Sequence, residues 1–231
     1  MKSQHQILNL IVRAKQEDKE ALNDLGHLYF SGKTVKQNYT KAFEYYERSA
    51  KHLYATAQFN LGLMYANGFG VLQNRTLAIE WYLKAAEQNY APAQFNLACL
   101  YQSDPLTVHE AIDWYHKAAE RDFLLAQYNL GWCYLHGFGV PRNEALAIQW
   151  ITKAAEHALP DAERELAECY FQGIGLNEDK QLAAEWFKKA ALQGDVKAIL
   201  QLAKMFETGD GVPQDEELSA VLLRELATGQ C

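Results

Sequence analysis

One stretch of this 231-residue chain decides its fold: Ala57-Gln58-Phe59-Asn60-Leu61-Gly62-Leu63-Met64-Tyr65. Its alanine, leucine and tyrosine are spaced four residues apart, and residues at that spacing stack on one face of an α-helix. The small residue Gly62 lies beside this face and allows a second helix to approach closely. The stretch therefore predicts a helix with one buried stripe, packed tightly against a neighbouring helix.

The same pattern occurs six times along the chain. In each copy a small residue directly follows the leucine, and an aromatic residue lies four positions after the leucine. The leucines recur at intervals of 36 residues, shortened once to 33, and they are Leu25, Leu61, Leu97, Leu130, Leu166 and Leu202. Self-similarity at a fixed period is the signature of a repeat architecture. We name this helix of each repeat helix A.

A second helical pattern follows each helix A after a turn, and we name it helix B. It places a small residue three positions before a large one, and the large residues are Tyr45, Trp81, Trp114, Trp150, Trp186 and Leu222. We expect the four tryptophans to be largely buried. No segment alternates polar and apolar residues with period two, so we expect no β-sheet.

These patterns predict the domain organisation. A single helix pair cannot bury its apolar face, whereas stacked pairs share one continuous core. We therefore expect an all-α chain of about 13 helices, with a capping helix at residues 1–18 and a six-repeat α/α solenoid at residues 19–231. Repeat three is three residues short, and the deletion falls in its turn, away from both helical stripes.

Composition narrows the classes of function. The net charge of -7 argues against a nucleic-acid partner, because such partners require Lys and Arg to neutralise phosphates. The apolar run from Ile7 to Val12 is too short for a signal-peptide core or a membrane span, which favours a cytoplasmic protein. The four cysteines are dispersed, which favours a reducing compartment. Cys133 and Cys169 share one repeat phase, and stacked helices would hold them beyond the Cα reach of a disulfide.

The sequence offers no catalytic or metal-binding constellation that we can name. Turns such as Gly68-Phe69-Gly70 join two helices, which is typical of helix C-caps and not of phosphate-binding loops. The Ser31-Gly32-Lys33-Thr34 segment lacks the upstream glycine of a nucleotide-binding loop, since His27 occupies that position. The seven histidines are scattered without zinc-ligand spacing. We therefore predict no enzymatic activity and no cofactor.

Three motifs resemble a known family. The residues 57–65 quoted above, the turn Gly68-Phe69-Gly70-Val71 and the helix B motif from Ala78 to Ala86 closely resemble the Sel1-like repeat (SLR), a relative of the tetratricopeptide repeat. The resemblance implies a right-handed superhelix whose concave face, lined mainly by A helices, holds a peptide or a partner's surface. Members of the family serve as adaptors in signalling, in quality control and in bacterial contacts with hosts or rival bacteria. Cysteine-rich secreted members are linked to β-lactam binding, but this chain lacks their paired cysteines.

A second face of helix A is the predicted partner-binding surface. Asparagine stands just before the anchor leucine in the three central repeats, and an amide can both donate to and accept from an extended backbone. The predicted contact residues on this concave face are Phe59, Asn60, Leu63, Phe95, Asn96, Cys99, Tyr128, Asn129, Trp132, Leu135 and His136. Two alternatives stay open at this point. The asparagines could instead tie helix A to a neighbouring turn, and the aromatic residues other than Trp132 could serve only in packing.

Two classes of function follow from these observations. The first is a non-enzymatic scaffold or adaptor, a monomer when alone, that binds an extended peptide or a partner protein in the groove. An immunity protein that plugs a cognate toxin would use the same fold. The second class, by family analogy, is a β-lactam-binding protein, for which the sequence offers no acyl-enzyme nucleophile.

Overall fold

The computed structural model describes residues 4–228, which form thirteen α-helices and contain no β-strand. This result confirms the prediction of an all-helical chain with six helix pairs behind one N-terminal helix. The helices are α1 (Gln4–Lys15), α2 (Lys19–Ser31), α3 (Tyr39–Lys51), α4 (Ala55–Asn67), α5 (Arg75–Glu87), α6 (Ala91–Gln102), α7 (Val108–Ala119), α8 (Leu124–His136), α9 (Glu144–Glu156), α10 (Pro160–Gln172), α11 (Lys180–Leu192), α12 (Val196–Thr208) and α13 (Glu216–Thr228).

The helices fall into two compact units, and the boundary lies between Ala118 and Ala119. The first unit holds α1 to α7, and within it each helix from α1 to α5 packs against the next along the chain. The second unit holds α8 to α13, whose helices also pack in sequence order. The A helices are the even-numbered helices from α2 to α12, and the B helices are the odd-numbered helices from α3 to α13.

The buried stripe of helix A differs in one position from the prediction. The anchor leucines and the alanines four positions before them are buried, as expected. The aromatic ring four positions after the anchor is only partly buried in each repeat. The stripe is completed instead by the residue three positions after the anchor, which is buried in five repeats as Leu28, Met64, Cys133, Cys169 and Met205.

The tryptophans of helix B are less buried than predicted. The fully buried position is the next residue along the chain, occupied by Tyr46, Tyr82, Tyr115, Ile151 and Phe187, each at most 2% exposed. Each tryptophan is partly buried, with a lysine ammonium over its ring at 4.0 Å (Lys84–Trp81), 3.9 Å (Lys117–Trp114), 4.3 Å (Lys153–Trp150) or 3.4 Å (Lys189–Trp186). Such contacts are cation–π interactions. The tryptophans therefore lie at the edge of the core, where a charged neighbour can reach them.

The small residue after the anchor leucine makes room for the buried ring of helix B. A Cβ atom added at Gly62 would lie 2.5 Å from Cδ1 of Tyr82, far closer than van der Waals contact. At Gly26 the corresponding distance to the Tyr46 ring is 2.6 Å. The expectation that this residue permits close helix approach is therefore confirmed.

The turns between helix A and helix B carry two specialised positions. The first glycine, such as Gly68, ends helix A in the left-handed conformation. The second, such as Gly70, also has positive φ and rests on the backbone of Tyr39, the first residue of the preceding B helix. Thr34 takes the second position in repeat one, where only α1 precedes the helix pair. Where a full-length Gly-x-Gly turn lies on a B helix, as at Gly70, Gly175 and Gly211, the second glycine is thus needed to avoid a clash.

The short turn of repeat three is supported by an arginine. This turn lacks the Gly-x-Gly sequence, and α6 ends at Gln102. Arg75, the first residue of α5, donates from Nη2 to the Leu100 carbonyl oxygen (2.6 Å) and to Ser103 Oγ (2.9 Å). The side chain thereby satisfies a carbonyl group at the C-terminal end of α6. A three-residue deletion in the turn is accommodated without loss of either helix.

A buried polar side chain repeats along the A helices, and within the described part of the chain its side-chain oxygen is unpaired in repeats three and four. In α4, Gln58 Oε1 accepts from Gln88 at 2.6 Å, and in α10, Glu163 Oε2 accepts from Gln193 at 2.7 Å. The equivalent buried oxygen, Oε1 of Gln127, has no hydrogen-bond partner among the described residues. His157 stands where the glutamine donor would be.

We expect His157→Gln to raise the free energy of unfolding by about 1 kcal/mol, because it supplies a donor to a buried acceptor. Urea unfolding followed by circular dichroism measures the change. His157→Ala is the control, since it offers no donor and should give no gain. A His157→Gln protein no more stable than the original would contradict the assignment of Gln127 as an unpaired acceptor.

Candidate functional site

In the first unit, the predicted contact residues lie on α4 and α6 and are partly engaged in packing. The Phe59 ring lies 5.8 Å from that of Tyr82 and 5.4 Å from that of Tyr90, and the Phe95 ring lies 5.9 Å from that of Tyr115. Leu63 packs beside the same core. Cys99 is exposed, with its Sγ 3.4 Å from the Tyr115 hydroxyl. Phe59 and Phe95 therefore have a packing role whether or not they also contact a partner.

The asparagine row is used unevenly within the protein. Asn60 donates from Nδ2 to Asn23 Oδ1 on α2 at 3.0 Å, so it links two A helices. Asn96 donates to the Tyr82 hydroxyl at 3.4 Å, which is long for a hydrogen bond of this kind. The Asn129 side chain makes no hydrogen bond to another described residue. Two of the three amides thus contact a neighbouring helix, and all three remain partly exposed.

In the second unit, Trp132 is the centre of an exposed aromatic patch at the C-terminal end of α8. Its ring lies 4.4 Å from that of His136 and 6.0 Å from that of Phe138, measured between centroids. His136 is exposed, and Phe138 is 37% exposed in the turn after α8. We call these three residues the aromatic patch. It presents apolar and polarisable surface to solvent on a rigid helix end.

Leu135 is the least exposed of the predicted contact residues on α8. It is only 5% exposed and lies in the core cluster of the second unit, against Ile151 and Leu166. The last turn of α8 directs this side chain towards α9 and α10 instead. The burial of Leu135 differs from the exposed position that the sequence predicted, whereas Tyr128, Asn129 and Trp132 are partly exposed.

A network of charges lies on α10 beside the aromatic patch. Arg164 donates from Nε to Asp195 at 3.0 Å and from Nη2 to Asp161 at 2.7 Å. Asp195 also caps α12 by accepting from the Ala198 amide at 2.8 Å. The carboxylate of Glu165 lies 3.9 Å from Nε2 of His136 and 3.8 Å from Nη1 of Arg164. Burial raises the pKa of Glu165, and the charges of Arg164 and His136 act in the opposite direction.

Two of the cysteine thiols are buried and poorly reactive. Cys133 and Cys169 are free and buried, and burial raises the pKa of each thiol to about 12. A thiol with so high a pKa stays protonated and is a poor nucleophile. Among residues 4–228 no group of three His, Cys, Asp or Glu side chains could hold a metal ion. No helix in this range is long and apolar enough to cross a membrane.

Two residues that belong to the site were missed at the level of sequence. Phe138 completes the aromatic patch, although it lies in a turn and outside the predicted helix face. Glu165 stands just before the anchor leucine of repeat five, the position that asparagine occupies in the central repeats, and it is not among the predicted contact residues. The signal for Phe138 was available, since an aromatic residue inside a turn has no helical stripe to join.

Comparison with known proteins identifies the fold family. The model of the Sel1 repeat matches six consecutive segments: residues 19–52, 55–90, 91–123, 124–159, 160–195 and 196–229. No curated protein matches the chain significantly. The predicted number of repeats and their phase are thereby confirmed.

Solved structures give the same result. The chain is 33% identical to a Sel1 repeat protein from Oxalobacter formigenes, with a TM-score of 0.81 over 91% of this chain and 86% of that one. It is 34% identical, with a TM-score of 0.91 over 96% of its length, to c5321, a protective antigen present in uropathogenic Escherichia coli strains that displays an SLR fold. The match spans only 48% of c5321. The immunity protein Pa5087 from Pseudomonas aeruginosa, at 18% identity and a TM-score of 0.55, shares the fold alone. Because the repeat model covers nearly its whole length, this chain belongs to the Sel1 repeat family.

Proposed function

We propose that this chain is a non-enzymatic adaptor that binds an extended peptide segment or a surface of another protein through the exposed faces of its A helices. Sel1 repeat proteins commonly mediate protein–protein interaction. The observation that carries the proposal is the aromatic patch of Trp132, His136 and Phe138 in the second unit. A partly exposed tryptophan in contact with two exposed rings is the kind of residue that anchors protein interfaces.

Polar groups on the same helix faces support this proposal. A peptide that lies against an A helix must have its backbone groups paired as water leaves, because an unpaired buried polar group costs about 1–3 kcal/mol. Asn129, in the turn of α8 next to Trp132, can donate and accept at once. In the first unit, the long contact of Asn96 to Tyr82 leaves the Asn96 carbonyl oxygen available to a ligand. Each unit therefore offers an amide beside an aromatic residue.

We expect Trp132→Ala and Asn96→Ala each to weaken partner binding by about 1–3 kcal/mol, the usual cost of truncating an interface anchor. The partner is first isolated by affinity capture and mass spectrometry from the native host, then produced pure. Isothermal titration calorimetry of the two variants gives the change in affinity. Melting temperatures should change much less than on truncation of a fully buried ring, because both side chains are partly exposed.

Two controls make this experiment decisive. Trp186→Ala removes a partly buried tryptophan on helix B of the same unit, on a different helix face, and should leave affinity unchanged. Unchanged affinity in both Trp132→Ala and Asn96→Ala, with folding intact, would move the binding surface elsewhere. A captured toxin that the chain neutralises in a one-to-one complex would identify it as an immunity protein that uses the same surface.

A further inference from the structure

A polar pocket of about 310 Å³ opens next to the aromatic patch. Its wall includes His136, Arg142, Glu165, Glu168 and Gln172, and Ile174 contributes apolar surface. His136 belongs both to this pocket and to the aromatic patch, where its ring contacts that of Trp132. A side chain that enters the pocket would therefore have neighbours that contact the aromatic patch.

The charged side chains in the pocket differ in the hydrogen bonds and ion pairs that they make. Arg142 is paired with Glu144 at 2.7 Å, and Glu168 accepts a hydrogen bond from Gln172. Glu165, in contrast, has a side chain only 15% exposed and makes no hydrogen bond to another described residue. Its ion-pair contacts are long, with Nη1 of Arg164 at 3.8 Å and Nε2 of the His136 ring at 3.9 Å, beyond hydrogen-bond distance. The Glu165 carboxylate thus lies at the pocket without a direct hydrogen bond from another described residue.

Arg164 is held in place by two other carboxylates. Its guanidinium is held by Asp195 and Asp161, and Asp195 is itself fixed as the N-cap of α12. A largely buried carboxylate is costly unless a cation and hydrogen-bond donors meet it. Burial raises the pKa of Glu165, and the nearby charges of Arg164 and His136 oppose that rise. A positively charged side chain from a partner would pair with the Glu165 carboxylate and remove this cost.

We propose that this pocket binds a basic side chain, arginine or lysine, of the partner segment, with Glu165 as its ion-pair acceptor. Adjacent residues of the segment would then cover Trp132 and Phe138. Arginine suits the site well, since its planar fork can bond a carboxylate in two places and stack on a ring. The net charge of -7 favours the approach of a basic segment. The inference rests on the proposed function, and it adds the chemistry of the segment that binds.

The test uses a displayed library of random linear dodecapeptides, selected on the full chain without reference to any natural partner. Selected peptides are expected to be enriched in arginine or lysine at one position. One such peptide, labelled with fluorescein, is then compared with its analogue carrying citrulline or alanine at that position. Fluorescence polarisation should show at least about tenfold weaker binding of the analogue, as for loss of a buried charge pair.

Variants assign this effect to Glu165. In Glu165→Gln the basic peptide and its neutral analogue should bind within about threefold of each other, because the acceptor charge is gone. Glu185→Gln, which removes an exposed glutamate on α11, carries the same change in net charge and should preserve the tenfold difference. If Glu165→Gln does not fold, Glu168→Gln tests the second carboxylate of the same pocket and should reduce the difference.

The outcomes separate this inference from the proposed function. Selected peptides without a basic residue that still lose affinity on Trp132→Ala would overturn the pocket and leave the adaptor function standing. A tenfold difference that persists in Glu165→Gln would likewise overturn the pocket and leave the adaptor function standing. A library that yields no binding peptide at all would count against both the pocket and the adaptor function.

Discussion

Tyr82→Ala is expected to lower the free energy of unfolding by about 3–5 kcal/mol, the usual loss when a fully buried ring is removed. The Tyr82 side chain is 2% exposed and fills the space directly over Gly62. Neither α4 nor α5 can move in to fill the resulting cavity without disturbing other contacts, because α5 also packs on α6. Urea unfolding monitored by circular dichroism measures the loss.

Two matched variants decide what the loss means. Tyr82→Phe removes only the hydroxyl, which accepts the long contact from Asn96, and should cost about 1 kcal/mol or less. Trp81→Ala removes the larger but only partly buried neighbour, which packs on the core with one face under Lys84, and should cost about 1–3 kcal/mol. A greater loss for Trp81→Ala than for Tyr82→Ala would mean that the tryptophan, and not the tyrosine, is the main packing residue of helix B.

Gly70→Ala is expected to lower the free energy of unfolding by about 2–5 kcal/mol through two combined effects. An alanine at φ +71° occupies the left-handed region, at a cost of about 1–2 kcal/mol. Its Cβ atom would also stand 2.7 Å from the carbonyl carbon of Tyr39 and 2.9 Å from its oxygen. Backbone atoms cannot rotate away, so the turn itself must shift, and such overpacking adds about 1–3 kcal/mol.

The neighbouring glycine separates these two effects. Gly68 has nearly the same φ, +72°, but the nearest atom to an added Cβ is 3.4 Å away, in ordinary contact. Gly68→Ala should therefore cost only the conformational part, about 1–2 kcal/mol. Equal losses in the two variants would show that the contact of the turn with Tyr39 contributes nothing to stability.

The repeat count, the helix pairs and their order could be predicted because six copies of one pattern reinforce each other. Burial along helix B could not be predicted as well. Tryptophan recurs at its position in four repeats, whereas the next position changes among tyrosine, isoleucine and phenylalanine. The recurrence of tryptophan at one position predicts that this position is buried. In the structure the recurring tryptophan is the one that pairs with a lysine three residues later, and the variable position fills the core.

The candidate site could be predicted only in part, for a geometric reason. Period and phase assign residues to a helix face, and they placed Trp132 and Asn129 on a partly exposed face. They do not determine the last turn of a helix, where Leu135 is directed inward, nor the turn that follows, where Phe138 reaches Trp132. The pairing state of Glu165 depends on Asp195, which lies thirty residues further along the chain and already holds Arg164. No local pattern contains that information.

The contact of Gly70 with Tyr39 makes the second repeat dependent on the first, and Gly175 and Gly211 make the equivalent contacts with Glu144 and Lys180 in the second unit. A repeat unit of this protein is therefore not a free module that can be copied or reordered at will. Thr34 illustrates the constraint, since it stands at the same turn position where no B helix lies beneath. An engineer who inserts a further helix pair between α1 and α2 would need to change Thr34 to glycine at the same time. By the same reasoning, recombination between copies would preserve the fold only where the glycine-bearing turn and the helix start beneath it are inherited together.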